Sequence, residues 1–217
     1  MDVNPSKILS PVQIEALDLF FSEEAFRKSY YLTGGTALAA FYLGHRYSDD
    51  LDFFTHESQT PFLLPFLEQL HGRGLFEWES RTPYFIRIRY QKTLKVDFVH
   101  DVLFRAGVPW PKNEWRVDSL ENILLNKITA IQGRLDVKDY VDLYYLLQGK
   151  SIEEIMKYLA MAGQKDSSVD PFVWSRVIGD VENFSLLPQM ILPMDLDRLT
   201  GFYRDLRKSI LKALKPK

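Results

Sequence analysis

The chain has 217 residues, of which 46% are hydrophobic and 14% aromatic, enough to bury one sizeable core or two modest ones. It contains no cysteine, which excludes disulfides, thiolate metal sites and cysteine nucleophiles, so a bound metal must have oxygen or histidine ligands. The formal net charge of -2 at pH 7 gives no overall attraction for nucleic acid or for an anionic membrane.

The N-terminal segment lacks the pattern of a targeting sequence. Asp2 and Glu15 interrupt it, and it does not show the basic-then-apolar order of a signal peptide. No apolar run in the sequence reaches the length that a membrane-spanning helix needs. We therefore expect a cytoplasmic protein without a membrane partner.

The first part of the chain alternates between helical and extended patterns. Ser10 and Pro11 are typical of a helix start, and apolar residues follow them at helical spacing. Gly34 and Gly35 separate a short β-prone run from a second helix, which Gly44 is predicted to end. The predicted order is helix, strand, helix, strand and helix, over residues 11–29, 30–32, 36–43, 51–54 and 61–70.

The period of the sequence changes between Leu75 and His100. Apolar and polar residues alternate there, as in Ile86, Arg87, Ile88 and Arg89, which predicts three antiparallel strands.

Helical patterns fill the chain after Pro109-Trp110-Pro111. The predicted helices cover residues 118–132, 136–148, 151–162, 170–178 and 195–214. The sequence thus predicts an α+β domain over residues 1–110, followed by a helical domain over residues 111–217.

Three aspartates are candidates for catalysis and metal binding. Asp50 and Asp52 flank Leu51 at the start of a predicted strand, so alternation places both carboxylates on one face. Two neighbouring acids repel each other unless a cation offsets their charge, and magnesium prefers such hard oxygen ligands. Asp97, flanked by the apolar residues Val96 and Phe98 in a later predicted strand, offers a third carboxylate. The alternative interpretation of an Asp-x-Asp sequence is a surface turn or a helix cap.

A glycine turn precedes the acid pair. Gly34, Gly35 and Thr36 lie between a predicted strand and a predicted helix, where free backbone N–H groups, the helix dipole and the Thr36 hydroxyl suit a phosphate group. The alternative is that Gly35 serves only a positive φ angle in an ordinary turn.

Two segments resemble the AbiEii-type nucleotidyltransferases, toxins of abortive-infection and toxin-antitoxin systems. They are Leu32-Thr33-Gly34-Gly35-Thr36-Ala37-Leu38 and His45-Arg46-Tyr47-Ser48-Asp49-Asp50-Leu51-Asp52-Phe53-Phe54. The resemblance implies a DNA polymerase β-like core, with a mixed sheet flanked by helices and a C-terminal helical bundle. It also implies that Ser48 joins the glycine turn in binding substrate, that Asp97 is the third acid, and that an antitoxin protein is a partner. Thr36 stands where serine is commoner in the superfamily, and it preserves the hydroxyl.

The resemblance continues into the helical half, at the segments around Lys127 and around Lys138-Asp139. It implies that Lys127 and Lys138 contact the triphosphate of the substrate and that Asp139 lies near the active site. Lys138 and Asp142 are also one helical turn apart, so a surface ion pair is the alternative role of Lys138.

The sequence therefore predicts an enzyme that transfers NMP from an NTP to a hydroxyl of tRNA or protein. Asp50 and Asp52 would bind two magnesium ions, and Asp97 would complete one site and activate the acceptor. Arg87 and Arg89 are candidates for lining a tRNA groove. The alternatives are a non-catalytic nucleotide-binding or interaction module, and a metal-dependent phosphodiesterase, which is disfavoured because no histidine joins the carboxylates.

Overall fold

The computed structural model describes residues 3–56, 63–101, 104–112 and 114–215. The chain divides into two units. The first comprises Met1–Leu103 and Gly107–Ser119, and the second comprises Phe104–Ala106 and Leu120–Lys217.

After a 3-10 turn (Pro5–Lys7), the first unit has two α-helices where the sequence predicts one. Helix α1 (Pro11–Ser22) starts with a capping box, in which the side chains of Ser10 and Gln13 bond each other's backbone N–H groups. Glu23 then takes an extended conformation and its carboxylate accepts from the N–H of Ala25, so it ends α1 and caps α2 (Glu24–Ser29). The continuous helix predicted over residues 11–29 is therefore broken by a local cap.

The sheet of the first unit is mixed and has seven strands. The strands are β1 (Tyr31–Thr33), β2 (Leu51–Thr55), β3 (Phe76–Arg81), β4 (Phe85–Tyr90), β5 (Leu94–His100), β6 (Trp110–Lys112) and β7 (Trp115–Val117). Their order across the sheet is β3-β4-β5-β2-β1-β7-β6. The β2–β5 and β1–β7 pairs are parallel and the others are antiparallel. The predicted α+β class and the three antiparallel strands β3 to β5 are confirmed.

The sequence did not predict strands β6 and β7. Pro111 lies inside β6, where a missing N–H is tolerated because β6 is at the edge of the sheet. These strands belong to the first unit, so the structural division at Ser119 lies beyond the boundary predicted after residue 110.

Two further helices complete the described part of the first unit. Helix α3 (Gly34–Leu38) follows β1 directly and continues as a π-helical turn, Ala39–Leu43, which Gly44 ends at φ +60°. Helix α4 is Leu63–Gly72; residues 61 and 62 of the predicted helix lie outside the described residues. The core holds a cluster of buried rings in which Phe20 of α1 lies 5.5 Å from Phe53 and 5.3 Å from Phe98, measured between ring centroids.

The second unit is helical, as predicted. It contains α5 (Leu120–Gly133), α6 (Val137–Leu147), α7 (Ile152–Lys165), α8 (Pro171–Val177) with the 3-10 segment Ile178–Asn183, and α9 (Leu196–Ala213). Trp174 is fully buried and donates to the Ile128 carbonyl at 3.1 Å, while Tyr203 donates to the Tyr140 carbonyl at 2.6 Å. Within the described residues, no helix combines the length and apolar character needed to cross a bilayer.

Candidate active site

The three acids predicted for catalysis lie on one face of the first unit's sheet. Strands β2 and β5 are parallel neighbours, and their register sets Asp52 directly beside Asp97. Asp50 precedes Leu51, the first residue of β2, and thus shares the face of Asp52 by alternation. The opposite face carries Leu51 and Val96, which are fully buried. The sheet therefore gathers carboxylates from two strands on its less buried face.

Two basic side chains bond to these acids. Arg87 pairs with Asp97 across the β4–β5 ladder and donates from Nε to Oδ1 at 2.7 Å and from Nη2 to Oδ2 at 2.8 Å. Lys95 places its ammonium nitrogen 2.6 Å from Oδ2 of Asp50. The hydrogen bond to Asp97 raises the pKa of Arg87 further above its ordinary value, so the guanidinium stays charged.

The glycine turn lies against the acid pair. Gly34 has φ +71°, and a Cβ built on it would lie 2.2 Å from Oδ2 of Asp52. A Cβ on Gly35 would lie 2.5 Å from a guanidinium nitrogen of Arg46 and 3.1 Å from the hydroxyl oxygen of Ser48. A side chain at either position would have to displace a neighbouring side chain, and the positive φ of Gly34 favours glycine in itself. The structure thus brings Gly34, Gly35 and Ser48 together with the acids.

Hydrogen bonds join the turn to neighbouring strands. The hydroxyl of Thr36 donates to the backbone carbonyl of Asp50, which ties α3 to the start of β2. Thr33, the residue before α3, donates its hydroxyl to Asp118 at 2.7 Å and makes no side-chain cap to the helix. The predicted phosphate contact of Thr36 stays a prediction; in this structure its hydroxyl fixes the position of Asp50.

The remaining predicted residues belong to the second unit. Lys127 of α5 is buried, with its ammonium nitrogen 2.7 Å from Asp139 and 2.6 Å from Asp142, both fully buried on α6. Arg134 also bonds Asp139, with Nε 2.7 Å from Oδ2. Burial raises the pKa of the Asp139 carboxyl, but the opposing effects of Lys127 and Arg134 outweigh it, and the pKa lies below its ordinary value. These contacts hold α5 and α6 together.

Lys138 lies in the first turn of α6 and is half-buried. Its backbone N–H is capped by the carboxylate of Asp136 at 2.9 Å. The roles predicted for Lys127, Lys138 and Asp139 at the substrate remain predictions.

The sequence analysis missed what Arg87, Lys95 and Arg46 contribute to this site. The sequence suggests a tRNA groove for Arg87, and in the structure its guanidinium bonds both oxygens of Asp97. Arg46 is 1% exposed and donates to the Tyr47 carbonyl at 2.8 Å, beside Gly35. In the sequence only their position marks these residues. Charged residues near an acid motif are common on solvated surfaces, so this position does not indicate a role in the site.

The acid set fits magnesium in ligand type, since three carboxylates on one sheet face are the hard oxygen donors that this ion prefers. In the part of the chain that the structure describes, however, no three metal-ligating side chains are arranged to hold an ion. Asp50 and Asp97 bond to Lys95 and Arg87 instead. A metal ion at this site would share these two carboxylates with the basic side chains or displace them.

The site thus combines a mixed sheet, two acids side by side on parallel strands, and a glycine turn at a helix start. The family model described as "Nucleotidyl transferase AbiEii toxin, Type IV TA system" matches residues 15–174. The chain belongs to this family, and the resemblance found in the sequence is confirmed.

The chain is also similar to a curated sequence and, in its fold, to solved structures. The chain is 30% identical over 146 residues to "Uncharacterized protein aq_aa25" of Aquifex aeolicus (strain VF5), which covers 59% of this chain. The match spans 63% of that relative's length. A putative nucleotidyltransferase from H. pylori has a TM-score of 0.52 at 20% identity, covering 96% of this chain and 100% of that one. JHP933 from Helicobacter pylori has a TM-score of 0.50 at 22% identity, covering 92% of each chain.

Proposed function

We propose that this protein transfers NMP from an NTP to a hydroxyl group of tRNA or protein in a magnesium-dependent reaction. The observation that carries the proposal is the placement of Asp52 beside Asp97 in the β2–β5 register, with Asp50 on the same face. Gly34 supports it, because its backbone lies against the Asp52 carboxylate with no room for a side chain between them.

In this proposal Asp50, Asp52 and Asp97 hold two magnesium ions. Bound there, the ions supply charge neutralisation for the phosphates and for the oxygens that enter and leave. Asp50 and Asp97 also bond Lys95 and Arg87, which places two cations beside the proposed ions.

The protein's own groups orient the reactants and move one proton. Asp97 accepts the proton of the acceptor hydroxyl, whose oxygen forms a bond to the α-phosphorus of the NTP. The bond from that phosphorus to the β-phosphate bridging oxygen breaks, and pyrophosphate leaves with the electron pair. The backbone of Gly34 and Gly35 holds the β- and γ-phosphates, with Thr36 and Ser48 beside it.

In the helical unit, Lys138 is proposed to contact the triphosphate. Lys127 is proposed to contact it as well, and Asp139 to lie near the active site as a further catalytic acid. The bond between Lys127 and Asp139 also fixes α6, the helix that bears Lys138. This part of the proposal rests on the family's sequence pattern.

We also propose that the protein acts as a cytoplasmic toxin with an antitoxin partner. The support is membership of a family described as toxins of a type IV toxin-antitoxin system. The acceptor, tRNA or protein, is left to experiment because the contacts of the acid face favour neither.

A second candidate function is a non-catalytic nucleotide-binding or interaction module. The observation that favours it is the pairing of two of the three acids with Arg87 and Lys95. In a protein that does not bind metal, these ion pairs would offset the repulsion between the acids.

The decisive test incubates the protein with each α-labelled NTP, magnesium, and either total tRNA or a bacterial protein extract. We expect label to enter one acceptor class with wild type and with Asp49→Asn, and not with Asp52→Asn. Asp49 is an exposed neighbour outside the proposed ligand set, so its variant controls for the loss of one charge. NTP binding without transfer to any acceptor would favour the non-catalytic module.

A further inference from the structure

The acid face of the sheet contains its own cations. The Arg87 guanidinium bonds both oxygens of Asp97, and the Lys95 ammonium bonds one oxygen of Asp50. The Asp97 side chain is 9% exposed, so little solvent reaches it to replace the guanidinium. In this state, therefore, two of the three proposed metal ligands already have a positively charged partner.

These pairs compete with any divalent ion for the same carboxylate oxygens. An ion that binds Asp97 has to weaken or displace a two-pronged bond, and charge-assisted bonds of this kind are stronger than neutral ones. The released guanidinium and ammonium then need new anions, because a cation left near a low-dielectric wall is unfavourable. The side chains of Arg87 and Lys95 are 35% and 27% exposed, so they have room to turn away from the sheet.

A nucleoside triphosphate offers phosphate groups to which the released guanidinium and ammonium could bond. Its phosphates suit the guanidinium fork of Arg87 and the point charge of Lys95. A magnesium ion bound with the nucleotide would be held by the carboxylates in place of these cations.

We propose that Arg87 and Lys95 are exchangeable counterions: they bond Asp97 and Asp50 without nucleotide and move to the phosphates when metal and NTP bind together. This inference rests on the proposed function. It makes metal and nucleotide binding cooperative, so that either one alone binds weakly. Arg87 and Lys95 are then positioning residues, which act through the acids when nucleotide is absent.

The test measures magnesium binding by calorimetry, alone and with each of the four NTPs as an α,β-methylene analogue. Wild type should bind magnesium weakly alone and at least about tenfold more tightly with the analogue that it accepts. Arg87→Gln and Lys95→Gln should each bind magnesium alone more tightly than wild type, by roughly tenfold for the two-pronged pair. The same variants should bind the analogue more weakly.

Arg89→Gln is the matched control. Arg89 lies two residues further along β4, is 34% exposed, and bonds Glu79 at 2.6 Å in place of an acid of the site. Its variant loses the same charge from the same face and should leave magnesium affinity within about twofold of wild type, because that pair contributes little at an exposed site. A general loss of positive potential would instead raise magnesium affinity equally in all three variants, and this result would overturn the proposal.

Magnesium affinity unchanged in Arg87→Gln and Lys95→Gln would also overturn the proposal, even if labelled transfer shows the proposed function to be correct. Conversely, tighter magnesium binding in both variants without binding of any NTP analogue would refute both the exchange and the nucleotide chemistry. Circular dichroism checks that each variant is folded. If Arg87→Gln does not fold, Lys95→Gln against Arg89→Gln gives the same comparison.

Discussion

Replacing Gly34 by alanine tests whether the glycine turn exists to admit the Asp52 carboxylate. The new Cβ would lie 2.2 Å from Oδ2 and 3.0 Å from Cγ of Asp52. Real carbon atoms do not approach an oxygen so closely, so either the carboxylate rotates away or the turn shifts. In the first case the Asp52 carboxylate leaves the site, and in the second the glycine turn moves away from it.

The expected effect of Gly34→Ala has two parts, one from the backbone conformation and one from the contact of the new Cβ with Asp52. A Cβ in the left-handed conformation costs about 1 to 2 kcal/mol, and Gly34 at φ +71° would incur this. Gly74, at φ +74°, has no atom within 4 Å of its hypothetical Cβ, so Gly74→Ala incurs the backbone part alone. Displacement of a reacting group by about 1 Å costs on the order of 100-fold in rate. We therefore expect similar backbone penalties in the two variants and a large loss of activity only in Gly34→Ala.

The assays are thermal unfolding, magnesium-NTP binding by calorimetry, and transfer of label from the NTP. Gly34→Ala should be at least as destabilised as Gly74→Ala and should transfer label about 100-fold more slowly. Gly74→Ala should transfer label at the wild-type rate. If the two variants matched in melting temperature, binding and transfer, the close approach of Gly34 to Asp52 would have no functional meaning.

Three further predictions concern the helical unit and the cell. Lys138→Ala should weaken NTP binding by about tenfold, as expected for a lost charge-assisted bond to phosphate, while barely moving the melting temperature; kinetics within twofold of wild type would show that Lys138 is only part of the scaffold. Asp139→Asn should lower the free energy of unfolding at pH 7 by roughly 3 kcal/mol, because Lys127 and Arg134 each lose a charged partner. Folding lowers the pKa of Asp139, so this stabilisation is fully present above the ordinary carboxyl pKa of about 4. It is lost as the pH falls through the lowered pKa, and the free energies of unfolding of wild type and variant, from denaturant titrations, should converge at that pH. A difference between them that stays constant with pH would refute the ionic explanation. Expression of wild type alone should slow bacterial growth while Asp52→Asn is tolerated, and equal growth with active enzyme in extracts would argue against toxicity.

The sequence predicted the acids and the strands that carry them, but not the partners of the acids. Asp50, Asp52 and Asp97 were found because Asp-x-Asp and an acid in an apolar strand are unusual enough to notice. The pairing of Arg87 with Asp97 follows from the sequence once the turn between β4 and β5 is known. The turn Gln91–Thr93 sets Tyr90 opposite Leu94, and counting back along both strands sets Arg87 opposite Asp97. That step needs the exact turn, and Gln91 and Lys92 adopt positive φ without the glycine or asparagine that usually marks such a turn.

Other features depend on contacts between distant segments. Strands β6 and β7 have three residues each, too few for a period to stand out, and Pro111 argues against a strand until its edge position is known. The cluster of Lys127 with Asp139 and Asp142 follows from the packing of α5 on α6. Sequence spacing offered an ion pair of Lys138 with Asp142 as an alternative role, since both lie on one predicted helix. The bond of Lys127 to Asp142 joins two helices and could not be predicted without the fold.

The position of the acids is fixed by the same alternation that builds the core. On β2 and β5 the residues on either side of each acid are buried. Leu51 and Phe53 flank Asp52, and Val96 and Phe98 flank Asp97. A slip of one residue in either strand would turn these apolar side chains to the open face and carry a carboxylate into the core, at a cost of several kcal/mol. The register that sets Asp52 beside Asp97 is therefore enforced by burial of their neighbours and does not depend on a bound ion. The carboxylates can then exchange one cationic partner for another while the strands that carry them stay in place.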